Sequence, residues 1–227
     1  MAAVDAPYGA VFAQWRAAAG PDWAAYTGHD FVIGLGDGSL PRSAFLHYLK
    51  QDYVFLVHFS RAWALAVTKA ETLEEMRACA ATVHALIDEE MRLHIETCAA
   101  LGISEAELFA TQEAPANLAY TRYVLDAGHS GDFLDLMAAL APCVLGYGEI
   151  GARLAPSGGP YADWIATYAG AAYQQTCAEV GGLIDRAVAR RLGNAPQDSP
   201  RWARLCARFG VATRLEVGFW DMGLSGA

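Results

Sequence analysis

Apolar residues return at helical steps along nearly the whole chain, and that periodicity constrains the fold more than any other feature. Phe45, Tyr48, Leu49, Asp52, Phe55, Leu56 and Phe59 follow one another at three- and four-residue intervals, as do Met76, Cys79, Val83, Leu86, Ile87 and Met91. No stretch offers the two-residue alternation between turn signals that a strand requires. Breakers fall at Gly34-Leu-Gly-Asp-Gly38, Gly102, Ala114-Pro115, Gly128 to Gly131, Pro156-Ser-Gly-Gly-Pro160 and Gly193 to Pro200. They leave about seven helical segments, several of them long. Long helices joined by short polar loops pack as antiparallel neighbours, so the expectation is one all-α bundle with its site among the helices. It spans residues 1–227 as a single domain, residues 1–7 forming a flexible terminus.

Charge and length then exclude whole classes of function. At 54% apolar and 18% charged residues, 227 residues are enough to bury a core. The formal charge of −9 repels a phosphate backbone, so no nucleic acid partner is expected. The start of the chain lacks a basic segment followed by an apolar one, and the longest uncharged apolar stretch, Leu136 to Gly148, is too short for a membrane span. A soluble, cytoplasmic protein without a membrane partner is expected. Cys79, Cys98, Cys143, Cys177 and Cys206 form no C-x-x-C and no regular spacing, which argues for free thiols over disulfides or structural zinc.

Several motifs invite a chemical reading. Gly34-Leu-Gly-Asp-Gly38 lacks the preceding strand, the third glycine and the lysine of a phosphate loop, and Ser39-Leu-Pro-Arg42 reads as a turn entering a helix. His84-Ala-Leu-Ile-Asp-Glu-Glu-Met-Arg-Leu-His94 is dense in metal-ligand types, yet Glu90 and His94 stand at i, i+4 and no second Glu-x-x-His exists. A solvated helix face is expected there, with no metal and no cofactor. Cys143 follows Pro142, which removes a helical hydrogen bond and should kink the helix, and Tyr147 lies one turn further along the same face. A buried small hydrophobe and a nucleophile sharing a pocket with a phenol both remain open for Cys143. Asp52 and Glu216 sit on otherwise apolar, aromatic faces. Each is ion-paired to an arginine, at a helix end, or holding a polar ligand, since a lone buried carboxylate is costly. Tyr120, Tyr123, Tyr161, Trp164, Tyr168, Tyr173, Phe219 and Trp220 serve as core or line a pocket for a flat heterocycle.

Taken jointly, Phe31-Val-Ile-Gly-Leu-Gly-Asp-Gly-Ser-Leu-Pro41, Tyr48-Leu-Lys-Gln-Asp52, Tyr120-Thr121, Leu140-Ala-Pro-Cys143 with Tyr147 and Glu149, Trp164-Ile-Ala-Thr-Tyr168 and Glu216-Val-Gly-Phe-Trp220 resemble the TenA family, also called thiaminase II or aminopyrimidine aminohydrolase. The resemblance runs from about Phe31 to Met222 and implies a haem-oxygenase-like helical bundle. It also implies hydrolysis at the carbon bearing the leaving group of a 4-amino-2-methylpyrimidine, in thiamine salvage and without a cofactor. Cys143 matches the family's nucleophile and Glu216 its proton-donating acid. Asp52 matches the carboxylate that holds the pyrimidine, Tyr120, Tyr147 and Tyr168 its pocket phenols, and Phe219 a ring packed on the substrate. Where some members carry a tyrosine three residues after the aspartate, this chain has Phe55, which removes one hydrogen bond from the site. Family members are commonly tetramers, so a homo-oligomer acting on a small molecule is implied. An oxidase or oxygenase of the same bundle, and a thiamine- or pyrimidine-binding regulatory protein, are the rivals.

Overall fold

A computed structural model describes residues 8–226; the terminus expected over residues 1–7 lies outside them. The described residues contain twelve α-helices and no strand, in agreement with the all-α expectation. They cluster into two compact units, residues 8–40 with 137–217 and residues 41–136 with 218–226.

The first unit opens on α1 (Ala10–Ala19), α2 (Pro21–Thr27) and α3 (Asp30–Asp37). Asp185 accepts from the backbone N–H groups of Ala10 and Val11 at 2.9 and 2.8 Å, pairing two donors that the start of α1 cannot satisfy internally. Here the structure corrects the sequence reading. Gly34 and Gly36 do not break the chain but lie inside α3, and only Gly38, in the left-handed conformation at φ 78°, ends it. The Leu40 N–H then returns to the Gly34 carbonyl at 3.1 Å, closing a glycine-terminated helix end.

The second unit is built on α4 (Arg42–Lys69), with Pro41 standing just ahead of its first turn. Next come α5 (Leu73–His84), a π-helical turn at Ala85–Glu90, α6 (Met91–Ala100), α7 (Glu105–Ala110) and α8 (Pro115–Ser130). Thr72 and Ser104 cap α5 and α7 through their hydroxyls. Gly128 lies within α8, and the break expected over Gly128 to Gly131 falls at the last of these residues. Helix α4 packs along α5 and α8 and buries one face of Phe45, Tyr48, Leu49, Asp52, Phe55, Leu56 and Phe59, the stripe its periodicity called for.

The chain passes from the second unit to the first along α9 (Phe133–Leu154), continues through α10 (Ala162–Ala169) and α11 (Ala171–Leu192), and returns along α12 (Pro200–Ser225). Twelve α-helices among the described residues replace the expected seven or so, because the segments before Gly34, between Gly38 and Gly102, and between Pro160 and Gly193 each divide into two or three helices. By length and composition α9 is apolar enough to cross a membrane, but 83% of its apolar window is buried inside the protein, as in a core helix. It runs unbroken through Pro142, whose carbonyl accepts from the Tyr26 hydroxyl at 3.3 Å.

Close helix approach in the first unit depends on small residues. A Cβ added at Gly181 of α11 would overlap the Tyr8 carbonyl oxygen, a backbone atom with little freedom to move aside. Gly181→Ala is therefore expected to destabilise by about 1 to 3 kcal/mol. In thermal unfolding followed by circular dichroism, that is a fall in midpoint of roughly 3 to 10 °C.

Candidate active site

In the second unit the site is organised by Asp52. Its stripe on α4 is otherwise aromatic, and the carboxyl is only 6% exposed. Phe55 packs on Tyr120 of α8 at 5.1 Å between ring centroids and on Phe219 of α12 at 5.4 Å, while Tyr48 meets Phe219 edge-on at 6.1 Å. Asp52, Phe55, Tyr120 and Phe219, indicated separately by the sequence, thus belong to one wall. Burial in that wall pushes the Asp52 carboxyl up to about 7, with a hydrogen bond from Tyr48 opposing the shift. Neighbouring Gln51 ties the wall together: its amide donates to the Gln112 carbonyl and accepts from Ala114 N–H, and Asn117 donates to its backbone and side-chain oxygens. These bonds hold the first turn of α8, in which Asn117 lies three residues before Tyr120.

Sequence reasoning missed two members of this half. It expected a solvated face at His84 to His94, and that holds only for His84 and Asp88, an exposed pair at 2.6 Å. Glu90 is partly buried and His94 largely so; His94 Nδ1 lies 3.6 Å from Asp52 Oδ2, and the charge of Asp52 acts on Glu90. The cause is the π turn, in which Met91 N–H reaches back five residues to Leu86. One extra residue per turn rotates everything after it by about 100°. A strict helical period therefore assigns Ile87 and Met91 to the core, whereas Ile87 is 52% exposed and the inward set becomes Glu90, His94 and Cys98. The partner that Asp52 receives is thus His94 and not an arginine. Burial lowers the His94 imidazole and raises the Glu90 carboxyl to about 7, the latter helped by the charge of Asp52.

In the first unit, α9 carries Cys143 and, one turn later, Tyr147. The Tyr147 ring packs against Tyr168 of α10 at 5.0 Å and Trp164 at 5.9 Å, and Tyr168 meets Tyr173 edge-on at 4.9 Å. Tyr173 donates to the Val144 carbonyl at 3.2 Å, fixing this aromatic corner to the turn that follows Cys143. Glu216 is 1% exposed on α12, three residues before Phe219 and so on the same helix face. Glu149, part of the same sequence motif, is occupied structurally: Arg16 pairs with it at 3.0 Å and Trp23 Nε1 donates to it at 3.2 Å. A groove of about 390 Å³ on the second unit is lined by Tyr53, Val57, Arg61 and Ile87 among others, and by none of the indicated site residues. Among the described residues, no group of three or more His, Cys, Asp or Glu side chains is placed to hold a metal ion.

Residues 16–226 match the model of the TENA/THI-4/PQQC family. The chain belongs to this family. It is 37% identical, over 89% of its length and 90% of the relative's, to a protein of Halalkalibacterium halodurans named aminopyrimidine aminohydrolase. The solved structure of a TenA family transcription regulator from Silicibacter is 62% identical, with a TM-score of 0.95 over 96% of this chain and 98% of that one. A Shewanella denitrificans domain of unknown function with a heme oxygenase-like fold aligns at a TM-score of 0.63 and 12% identity, over 94% of this chain and 92% of that one, a likeness of fold alone. The family and the haem-oxygenase-like bundle implied by the sequence motifs are therefore those of this chain.

Within this TenA chain the thiols separate. Burial pushes Cys79, Cys98 and Cys177 up to about 12, in keeping with small buried hydrophobes, whereas Cys143 and Cys206 are partly exposed. Burial nonetheless raises the Cys206 thiol. Alkylation at neutral pH, mapped by peptide mass, should label Cys143 before Cys206 and reach the other three only on unfolding. Asp52 carries a second expectation. Its folded-state value is raised, so it takes up a proton on folding between pH 4 and 7 and opposes stability most once pH exceeds about 7. Asp52→Asn should therefore raise the unfolding free energy at pH 8, measured by denaturant titration, by up to about 4 kcal/mol, with the gain shrinking toward pH 4.

Proposed function

We propose that this protein is an aminopyrimidine aminohydrolase that hydrolyses 4-amino-5-aminomethyl-2-methylpyrimidine, and thiamine as a further substrate, to the 5-hydroxymethyl pyrimidine in thiamine salvage. The observation that carries the reading is a buried Asp52 set in an aromatic wall, its carboxyl pushed up to about 7 by burial, in a chain sharing 37% identity with a protein named for that activity. A flat, basic heterocycle with an exocyclic amine matches such a wall, because rings stack on its faces and a carboxyl pairs with a ring nitrogen and the adjacent amine. Asp52 holds the pyrimidine, Phe219 and Phe55 pack against it, and Tyr120, Tyr147 and Tyr168 supply phenols.

Hydrolysis then needs a nucleophile and an acid, and Cys143 and Glu216 take these roles. Protonation makes the ring electron-poor, the Cys143 sulfur adds to it, and ammonia leaves from the aminomethyl carbon after taking a proton from Glu216. Water adds at that carbon, the sulfur departs, and the hydroxymethyl pyrimidine is released. The net exchange is one water taken up for one ammonia. The same reading takes the chain as a single domain that needs no cofactor and works in the cytoplasm as a homo-oligomer, a tetramer by family resemblance.

The regulator from Silicibacter supports one rival, a pyrimidine-binding regulatory protein that lacks turnover. Ammonia release from the aminomethyl pyrimidine, run in the presence of a chelator, decides between them. Wild type should turn over, Cys143→Ala should lose about a thousandfold or more, and Glu216→Gln on the order of a hundredfold to ten-thousandfold. Full turnover by Cys143→Ala would end the covalent mechanism, and tight binding without turnover by wild type would favour the regulator.

A further inference from the structure

The imidazole of His94 and the second acid of the second unit, Glu90, have no role in the mechanism above, although both are set beside Asp52. His94 Nε2 lies 2.8 Å from the Leu49 carbonyl, which can only accept, so Nε2 carries the hydrogen. The neutral ring then presents the bare lone pair of Nδ1 to Asp52 Oδ2 at 3.6 Å. Two lone pairs facing each other in a site 8% exposed on each side repel, so one proton must stand between them. Glu90, the last residue of the π turn and four residues before His94, is close enough for the charge of Asp52 to act on it, and two such carboxyls do not both ionise readily.

We propose that Glu90 and His94 are positioning residues that keep a proton on the Asp52–His94 pair and release it to the ring nitrogen of the bound aminopyrimidine. His94 orients the carboxyl, and the negative charge of Glu90 disfavours early loss of the proton. On binding, the proton moves from the pair to the ring nitrogen. The carboxylate left behind accepts both the new ring N–H and the exocyclic amine, and the cationic ring offsets the charge of Glu90. Solvent restores the proton after product leaves. This inference rests on the proposed aminopyrimidine substrate. The other titratable groups around the pair in its unit are Tyr48 of α4, which donates to Asp52, Tyr53, whose ring centroid is 6.5 Å from that of His94, and Cys98 of α6, on which Lys50 also acts. The tyrosines and the thiol stay neutral near pH 7.

The test compares wild type with Glu90→Gln, Glu90→Asp and His94→Gln in profiles of kcat/KM against pH for ammonia release from the aminomethyl pyrimidine. Loss of the Glu90 charge lets Asp52 give up its proton earlier, so the alkaline limb of Glu90→Gln should move about one pH unit lower, while Glu90→Asp returns it toward wild type. His94→Gln should raise KM roughly tenfold with a smaller change in kcat. A merely structural role would lower activity equally at every pH, and a Glu90→Gln limb that coincides with wild type overturns the proposal. A second readout does not depend on turnover. In protein labelled with ¹⁵N-histidine, His94 should carry its hydrogen on Nε2 at neutral pH, and its titration midpoint should fall in Glu90→Gln. An Nδ1-protonated ring, or a midpoint unmoved by Glu90→Gln, overturns the proposal even if the substrate assignment stands. Wild type that releases no ammonia defeats the substrate assignment, and the NMR arm still decides whether the pair shares its proton.

Discussion

Placing an acid on the inner face of a long apolar helix costs free energy that the surrounding structure must offset. On α4 that acid is Asp52, and several neighbouring features answer to it. Tyr48 donates to it, His94 stands beside it, and rings close the remaining directions so that water does not solvate its charge. Such an arrangement weakens the fold at neutral and alkaline pH in return for a carboxyl that still holds a proton where ordinary aspartates have lost theirs. A purely structural role would be served as well by an amide or an apolar residue. The retained cost is itself an argument that the carboxyl meets a ligand.

Much of this was legible in the order of residues, and the reasons differ from place to place. The stripe on α4 could be read because that helix keeps one period over 28 residues, so Asp52 falls among rings on any helical wheel. Cys143 and Tyr147 could be paired because four residues make one turn even across Pro142. The glycines of α3 misled because glycine is costly within a helix but not forbidden there, and packing outweighs propensity. Glu90 and His94 were hidden for another reason. The π turn at Ala85–Glu90 changes the period in the middle of a continuous helical run, and no single residue type announces it. Two side chains that a regular wheel turns outward are thereby brought to Asp52.

Family membership narrows the chemistry but does not complete it. One bundle supports proteins named as hydrolases and as regulators, so the decision rests on groups that binding alone does not need. A binding pocket requires Asp52 and its rings. It has no use for a partly exposed thiol one turn before a phenol, or for a second acid buried to 1% on α12. Phe55 bears on the same question. It packs against Tyr120, Phe219 and Phe59 with no polar atom of its own, so it shapes the wall while leaving proton handling to other residues.

The π turn joins these strands. Its hydrogen-bond geometry is poorer than that of the α-helix, and it leaves Ile87 half in solvent, so it offers little to stability on its own account. What it does accomplish is a rotation that a regular helix from Leu73 to Ala100 would not produce. Without it, Glu90 and His94 would lie about 100° away from their present direction and Asp52 would face the hydrocarbon of α6. In the proposed reading the two neighbours act in opposite senses: the imidazole eases transfer of the Asp52 proton on binding, and the charge of the second carboxyl holds that proton until the substrate arrives. The irregular turn is therefore better understood as part of the site's electrostatics than as a defect in the helix that contains it.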